Sequence, residues 1–135
     1  METTLPEEAT SFLESWPNCP NKEAFAVLAQ EMTGQSDVSL DFKARPGVSY
    51  SLRSKRSGQK EDLFCMIDVI DDDPQDRWLS VCFFAQMITD PDEMGDIVPG
   101  GLLGQDGYCF DLDCSVSDDV AYIRTRIREA YANCL

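Results

Sequence analysis

The chain has 135 residues, a formal net charge of −14 and 43% hydrophobic residues, which is typical of one globular domain. No stretch reaches the length of apolar sequence that a membrane-spanning helix needs, so we expect no membrane partner. The N-terminus METTLPEEATSF carries acids where a secretory signal has basic residues, which predicts a cytoplasmic protein.

The sequence contains no histidine, and its six cysteines form no CxxC pair. Histidine is the usual general base, the usual partner of a nucleophilic serine or cysteine, and the commonest ligand of transition metals. Structural zinc sites use close cysteine pairs or cysteine with histidine. The composition therefore predicts no metal and no cofactor, and it favours a non-enzymatic protein with reduced, buried cysteines.

Residues 1–34 predict a pair of helices. Thr4 and Glu7 have the spacing of a capping box, and Pro17 should end the first helix. The apolar stripe of this helix is Ala9, Phe12, Leu13 and Trp16. A second helix is predicted over residues 21–34, where a glycine ends it.

From Val38 onward the apolar residues follow a period of two, which indicates β-strands. Val38, Leu40 and Phe42 alternate with polar residues, Pro46-Gly47 marks a turn, and the alternation resumes through Leu52. This segment predicts a hairpin with one solvent-exposed face.

Six of the eleven basic residues fall between positions 43 and 60, where the sequence has no acid. They are Lys43, Arg45, Arg53, Lys55, Arg56 and Lys60. Such a basic hairpin can contact phosphates, dock on an acidic surface of another protein or of a second copy, or keep an exposed sheet edge soluble. Because the net charge disfavours nucleic acid, we take these six as candidate binding residues for a protein partner or for self-association.

Two strongly apolar segments, residues 63–70 and 77–87, predict central strands that are covered on both faces. If Ile70 pairs with Arg77, Cys65 lies opposite Cys82. The loop between the strands contains Asp71, Asp72, Asp73 and Asp76. It could offer oxygens to a cation, but it lacks the glycine and the later glutamate of a calcium loop, so the pattern favours a solvated turn.

The last third of the chain predicts a short helix, a loop, a fifth strand and a final helix. Asp90 and Pro91 are typical of a helix start. The glycine-rich residues 100–107 predict a loop; they precede a strand and include an acid, which disfavours phosphate binding. Residues 108–113 predict the fifth strand, and Ser117 caps the final helix. That helix has an apolar stripe of Val120, Ile123, Ile127 and Tyr131, and its arginines are Arg124, Arg126 and Arg128.

The predicted order is therefore ααββββ(α)βα, in a single α+β domain over residues 1–135. Residues 1–34 form the helical pair. Residues 38–135 form a five-stranded, mostly antiparallel sheet, with the C-terminal helix and the other helices packed on it.

Several segments of this sequence resemble the MmcQ/YjbR-like small bacterial domains. They are the strands YSLRSK, LFCMIDVI and RWLSVCFF, the segments DPDEM and IVPGG, the strand YCFDLD, and a helix from SDDVAYI to REAY. The resemblance covers residues 38–131, and it implies an antiparallel sheet with helices on one side. It also implies DNA binding through two hairpin wings, as suggested for members of that family, and it supplies no catalytic residue.

The sequence favours a cytoplasmic, non-enzymatic domain that binds another macromolecule through the basic hairpin. Two alternatives stay open. One is an acidic mimic of nucleic acid that inhibits a nucleic-acid-binding protein. The other is a small-ligand protein or an enzyme with a pocket between the sheet and residues 100–107.

Overall fold

The computed structural model describes residues 4–114 and 119–135, which contain three α-helices, a short 3-10 helix and six strands. The helices are α1 (Glu7–Ser15), α2 (Pro20–Thr33) and α3 (Val120–Asn133). The strands are β1 (Val38–Arg45), β2 (Ser49–Arg56), β3 (Cys65–Ile70), β4 (Trp78–Phe84), β5 (Asp96–Leu102) and β6 (Gln105–Leu112). The α+β class is confirmed, but the sheet has six strands instead of the predicted five.

All six strands form one sheet in the order β1-β2-β3-β4-β6-β5, and every neighbouring pair is antiparallel. β1 and β2 pair without interruption, from Val38 opposite Arg56 to Arg45 opposite Ser49. Directly opposite residues point to the same side of a sheet, and successive residues alternate between its sides. The register therefore assigns each strand residue to one of two faces.

One face of the sheet carries the apolar core. Its fully buried sheet residues are Leu52, Cys65, Ile67, Val69, Leu79, Val81, Phe83 and Leu112. Phe12 of α1, Phe25 of α2 and Ile127 of α3 belong to the same core, so all three helices pack on this covered face. The prediction that β3 is covered on both sides is wrong, because its residues alternate between buried and half-buried.

The segment at Asp90 forms a turn, not the predicted short helix. The Asp90 carboxylate accepts hydrogen bonds from the backbone N–H groups of Met94 at 3.1 Å and Gly95 at 2.8 Å, and from the Tyr122 hydroxyl. Glu93 has φ 53°, a left-handed conformation that ends helical geometry. The Asp90 side chain therefore caps backbone N–H groups, but the segment that it caps is a turn instead of a helix.

The glycine-rich residues 100–107, predicted as a loop, belong to the β5–β6 hairpin. β5 lies at one edge of the sheet, where the missing N–H of Pro99 is tolerated. Its register with β6 is irregular between Val98 and Leu102, and Gly104 takes φ 85° in the turn. Proline and glycine therefore indicate an edge strand at this place.

The helix starts also differ from the predictions. α1 begins after Pro6 with no side-chain hydrogen bond at its cap, so the Thr4–Glu7 capping box does not form. α2 begins at Pro20, one residue earlier than predicted, and ends before Gly34. The predicted cap of the final helix, Ser117, lies outside the described residues.

Asp71 and Arg77 close the acidic turn as a buried ion pair. Arg77 Nε donates to Asp71 Oδ1 at 2.6 Å, and the backbone N–H of Gly47 donates to Asp71 Oδ2 at 2.8 Å. The Arg77 guanidinium lies 5.2 Å from the ring centre of Phe12 and 5.6 Å from that of Tyr50. The pair therefore joins both hairpins to α1. The exposed acids of the turn are Asp72, Asp73 and Asp76.

The turn also sets the register of β3 and β4. Ile70 lies opposite Trp78 instead of Arg77, because Arg77 precedes the strand and pairs with Asp71. Cys82 consequently lies opposite Met66, not opposite Cys65.

Candidate functional site

The other face of the sheet has no helix packed on it in the described part of the chain. Small polar side chains lie side by side at its centre, with Ser51 opposite Asp68, Asp68 opposite Ser80, and Cys82 opposite Cys109. We call this side of the sheet the uncovered face.

Four of the six predicted basic residues project from the uncovered face. They are Lys43, Arg45, Arg53 and Lys55, at alternating positions of β1 and β2. Arg53 Nε donates to Ser51 Oγ at 3.2 Å, and Arg45 Nη2 donates to Ser49 Oγ at 3.4 Å. These bonds hold both guanidinium groups near the sheet.

The other two predicted basic residues lie elsewhere. Arg56 points to the covered side, where its guanidinium lies 4.2 Å from the ring centre of Tyr131 and donates to the Tyr131 carbonyl at 3.0 Å. Lys60 is exposed in the loop between β2 and β3. The candidate site therefore retains four of the six residues.

A cavity of about 360 Å³ lies beside three of these basic residues, Lys43, Arg53 and Lys55. Leu103 of the β5–β6 turn and Asp62 of the loop before β3 also line it, so three separate segments meet there. Among the described residues, none of the three basic side chains forms an ion pair. Asp41, which lies opposite Arg53 across the two strands, also lines the cavity with Asp62, so the three cations of the lining exceed its acids by one.

Asp68 lies beside this basic region on the uncovered face. Burial raises the pKa of Asp68 above its ordinary value, although a hydrogen bond from Ser51 and the charges of Arg53 and Arg45 oppose the shift. Its Oδ1 is buried and has no hydrogen-bond partner among the residues that the structure describes. An unpaired buried acceptor costs about 1–3 kcal/mol of folding free energy, and a donor from a binding partner can recover part of that cost.

Two thiols adjoin Asp68. A hydrogen bond between Cys82 and Cys109, together with burial, raises the pKa of Cys82, and the same bond lowers the pKa of Cys109. Asp68 and Asp111 oppose ionisation of Cys109. Within residues 4–114 and 119–135, no group of three or more histidine, cysteine, aspartate or glutamate side chains is arranged to hold a metal ion.

A larger groove, of about 640 Å³, lies between α1 and the edge strand β1. Its apolar lining is Phe12, Leu40, Phe42, Ala44 and Tyr50. Glu7, Glu8 and Asp41 add acidic groups to the lining. Leu40 and Asp41 also line the basic cavity, so the groove and the cavity adjoin each other at β1.

Sequence reasoning identified the basic residues but missed the rest of the uncovered face. Asp68, in the middle of an apolar strand, was the one signal that a face of β3 is not covered. Nothing in the sequence indicates that Asp62 and Leu103 belong to the site, because they line the cavity only through contacts between distant segments.

Comparison of the chain with family models, with curated proteins and with solved structures finds no match. The resemblance to MmcQ/YjbR-like domains therefore stays a prediction. In the described residues, no helix is long and apolar enough to cross a membrane.

Proposed function

We propose that this protein is a cytoplasmic, non-enzymatic domain that binds an acidic segment of another protein on its uncovered face. The observation that carries the proposal is the cavity that gathers Lys43, Arg53 and Lys55 without ion-pair partners among the described residues. A carboxylate that enters this cavity meets three positive charges and the two negative charges of Asp41 and Asp62, so the net charge of the lining still attracts it.

The lining of the cavity favours a protein segment over nucleic acid. Leu103, which is 52% exposed, lies beside the charged groups, so an apolar side chain next to a carboxylate also finds a contact. Asp41 and Asp62 would repel a continuous row of phosphates. The net charge of −14 opposes a polyanion further, whereas a short segment with few acids is repelled less.

The expected affinity is modest and depends on salt. One exposed charge pair contributes about 0.2–1 kcal/mol, so binding needs several pairs together with the apolar contacts. At physiological ionic strength, dissolved ions screen exposed charges over about 8 Å. Added salt shortens this distance, so it should weaken binding.

The test compares two lysines that carry the same charge but lie in different places. Lys55 lines the cavity, whereas Lys60 is exposed in the neighbouring loop. Lys55→Glu and Lys60→Glu give the same net charge. A fluorescent peptide of alternating glutamate and leucine, with its glutamine–leucine counterpart as control, should bind Lys55→Glu about tenfold more weakly than wild type, since one attraction becomes a repulsion.

Fluorescence anisotropy in rising salt measures this difference. Lys60→Glu should bind the acidic peptide within about twofold of wild type, because its charge lies outside the cavity. Equal weakening by both variants, equal binding of the glutamine peptide, or tighter binding of a DNA duplex than of the acidic peptide would each overturn the proposal.

A further inference from the structure

Three sulfur-containing side chains form one row across the centre of the uncovered face. Met66 of β3 lies opposite Cys82 of β4, and Cys82 lies opposite Cys109 of β6. Directly opposite residues have their Cβ atoms about 4.5–5.5 Å apart on the same side of a sheet. The register therefore places two thiols and a thioether side by side, although they come from three separate strands.

The two thiols of the row are in contact with each other. A hydrogen bond joins Cys82 and Cys109, and Ser80 Oγ lies 3.7 Å from Cys82 Sγ. Cys82 is only 5% exposed, although no helix of the described residues packs on this face, so its neighbours in the sheet cover it. Cys109 and Met66 are half-buried, so both still face the solvent in part. A small ion can therefore reach the row from the open side of the sheet.

Carboxylates surround the thiol end of the row. Asp96 of β5 lies opposite Cys109, and Asp68 and Asp111 lie on the same face. The hydrogen bond with Cys82 lowers the pKa of Cys109, whereas burial and the charges of these three acids act to raise it. Reactive cysteines are typical of positively charged surroundings, so the acids disfavour a site of oxidation. The same acids attract a cation, which would offset their repulsion of the thiolates.

The ligands select the kind of cation. Within residues 4–114 and 119–135, no further cysteine, aspartate or glutamate joins the two thiols in an arrangement that holds a metal ion, whereas structural zinc sites use four such ligands. Thiolate and thioether sulfurs are soft ligands, and they select Cu(I). Arg53 lies opposite Met66 on its other side, so its positive charge is next to the neutral thioether instead of the thiols.

We infer that Cys82, Cys109 and Met66 form a binding site for a soft monovalent cation, Cu(I). Binding forms two copper–thiolate bonds and one copper–thioether bond, and the two thiol protons pass to the solvent. No electron is transferred, so the site needs neither an oxidant nor a reductant. Because the three ligands lie on paired strands, the sheet holds them together before the ion arrives.

Competition with bicinchoninate, a coloured chelator of Cu(I), measures the affinity under an inert atmosphere, which keeps the thiols reduced. Cys109→Ser replaces one thiolate with a hydroxyl, which is a poor ligand for a soft ion, and should bind Cu(I) at least about a hundredfold more weakly than wild type. Met66→Leu conserves the volume of the side chain but removes its sulfur, and should bind about tenfold more weakly.

Two variants that make the same replacements elsewhere are the controls. Cys19 precedes α2 and Met94 precedes β5, and neither belongs to the row. Cys19→Ser and Met94→Leu should therefore bind Cu(I) within about twofold of wild type. Circular dichroism checks that each variant is folded.

Three outcomes would each overturn the inference. They are a wild type that binds Cu(I) no more tightly than Cys109→Ser, equal weakening by Cys19→Ser and Cys109→Ser, and a Met66→Leu variant that binds as tightly as wild type. The inference goes beyond the proposed acidic partner and uses other side chains of the same face. Lys55→Glu should bind Cu(I) like wild type, which separates this outcome from failure of the peptide test.

Discussion

Charged residues on the two faces of the sheet differ in their partners, although Arg126 Nε of α3, on the covered side, is also buried without a hydrogen-bond partner among the described residues. On the covered side, Arg77 has a carboxylate and aromatic rings around it, and Arg56 lies over a ring and donates to a carbonyl. On the uncovered side, Asp68 Oδ1 lacks a partner among the described residues, and Lys43 and Lys55 form no ion pair there. We therefore expect folding stability to depend more on the first set of charges than on the second.

The largest effect is expected at Asp71. Asp71→Asn removes the counter-charge of buried Arg77 and should lower the free energy of unfolding by about 3 kcal/mol at pH 7, measured by urea denaturation. Burial alone would raise the pKa of Asp71, but the Gly47 N–H and the Arg77 guanidinium outweigh it and lower the pKa. The stabilisation is therefore complete above the ordinary pKa of about 4 and is lost as the pH falls through the lower folded-state pKa.

The exposed neighbour Asp72 provides the control for this prediction. Asp72→Asn should change the free energy of unfolding by less than about 0.5 kcal/mol. If the two variants lose the same stability, the ion pair does not hold the two hairpins together.

A smaller loss of stability is expected at Arg56, and the adjacent Lys55, which points to the opposite face, is its control. Arg56→Gln removes the contact with the Tyr131 ring and the bond to its carbonyl, and it should cost about 1–2 kcal/mol in urea denaturation. Lys55→Gln should cost less than about 0.5 kcal/mol, because Lys55 is exposed. Equal costs at both positions would contradict the assignment of faces.

The smallest effect, with the opposite sign, is expected at Asp68. Because burial raises the pKa of Asp68, the charged form is disfavoured in the folded protein. Asp68→Asn should therefore increase the free energy of unfolding at pH 7, by about 0.5 kcal/mol. A raised pKa means that the wild type loses stability as the pH rises through the folded-state value, so the two proteins should be equally stable below about pH 4.

Urea denaturation at both pH values measures this difference. Asp111→Asn, an exposed position on the same face, should leave stability unchanged at either pH. A loss of stability in Asp68→Asn at pH 7 would show that the carboxylate is stabilised by its arginine neighbours instead of penalised by burial.

The hairpin of β1 and β2 could be predicted because its alternation and its Pro46-Gly47 turn depend on neighbouring residues only. The same alternation separates Lys55 from Arg56, so the faces of these two residues could also have been predicted. β5 could not be predicted. Pro99 and Gly100 are tolerated in a strand only at a sheet edge, and only the strand order shows that β5 lies at an edge. The apolar residues of β3 and β4 indicate central strands, but they do not tell which face the helices cover.

The candidate site, like the fold, could be predicted from the sequence only in part. Its basic residues stand out as a local charge asymmetry, which is visible in the sequence alone. The cavity beside them could not be predicted, because Asp62 and Leu103 reach it through contacts between segments far apart in the chain.

The enclosure of Arg77 has a consequence for synthesis on the ribosome. Phe12 and Trp16 leave the ribosome long before Arg77, the cation over which their rings lie. The first hairpin can already supply Phe42 and Tyr50 to the Phe12 ring, but α1 cannot complete its packing until the second hairpin brings Arg77 to Phe12 and Trp16.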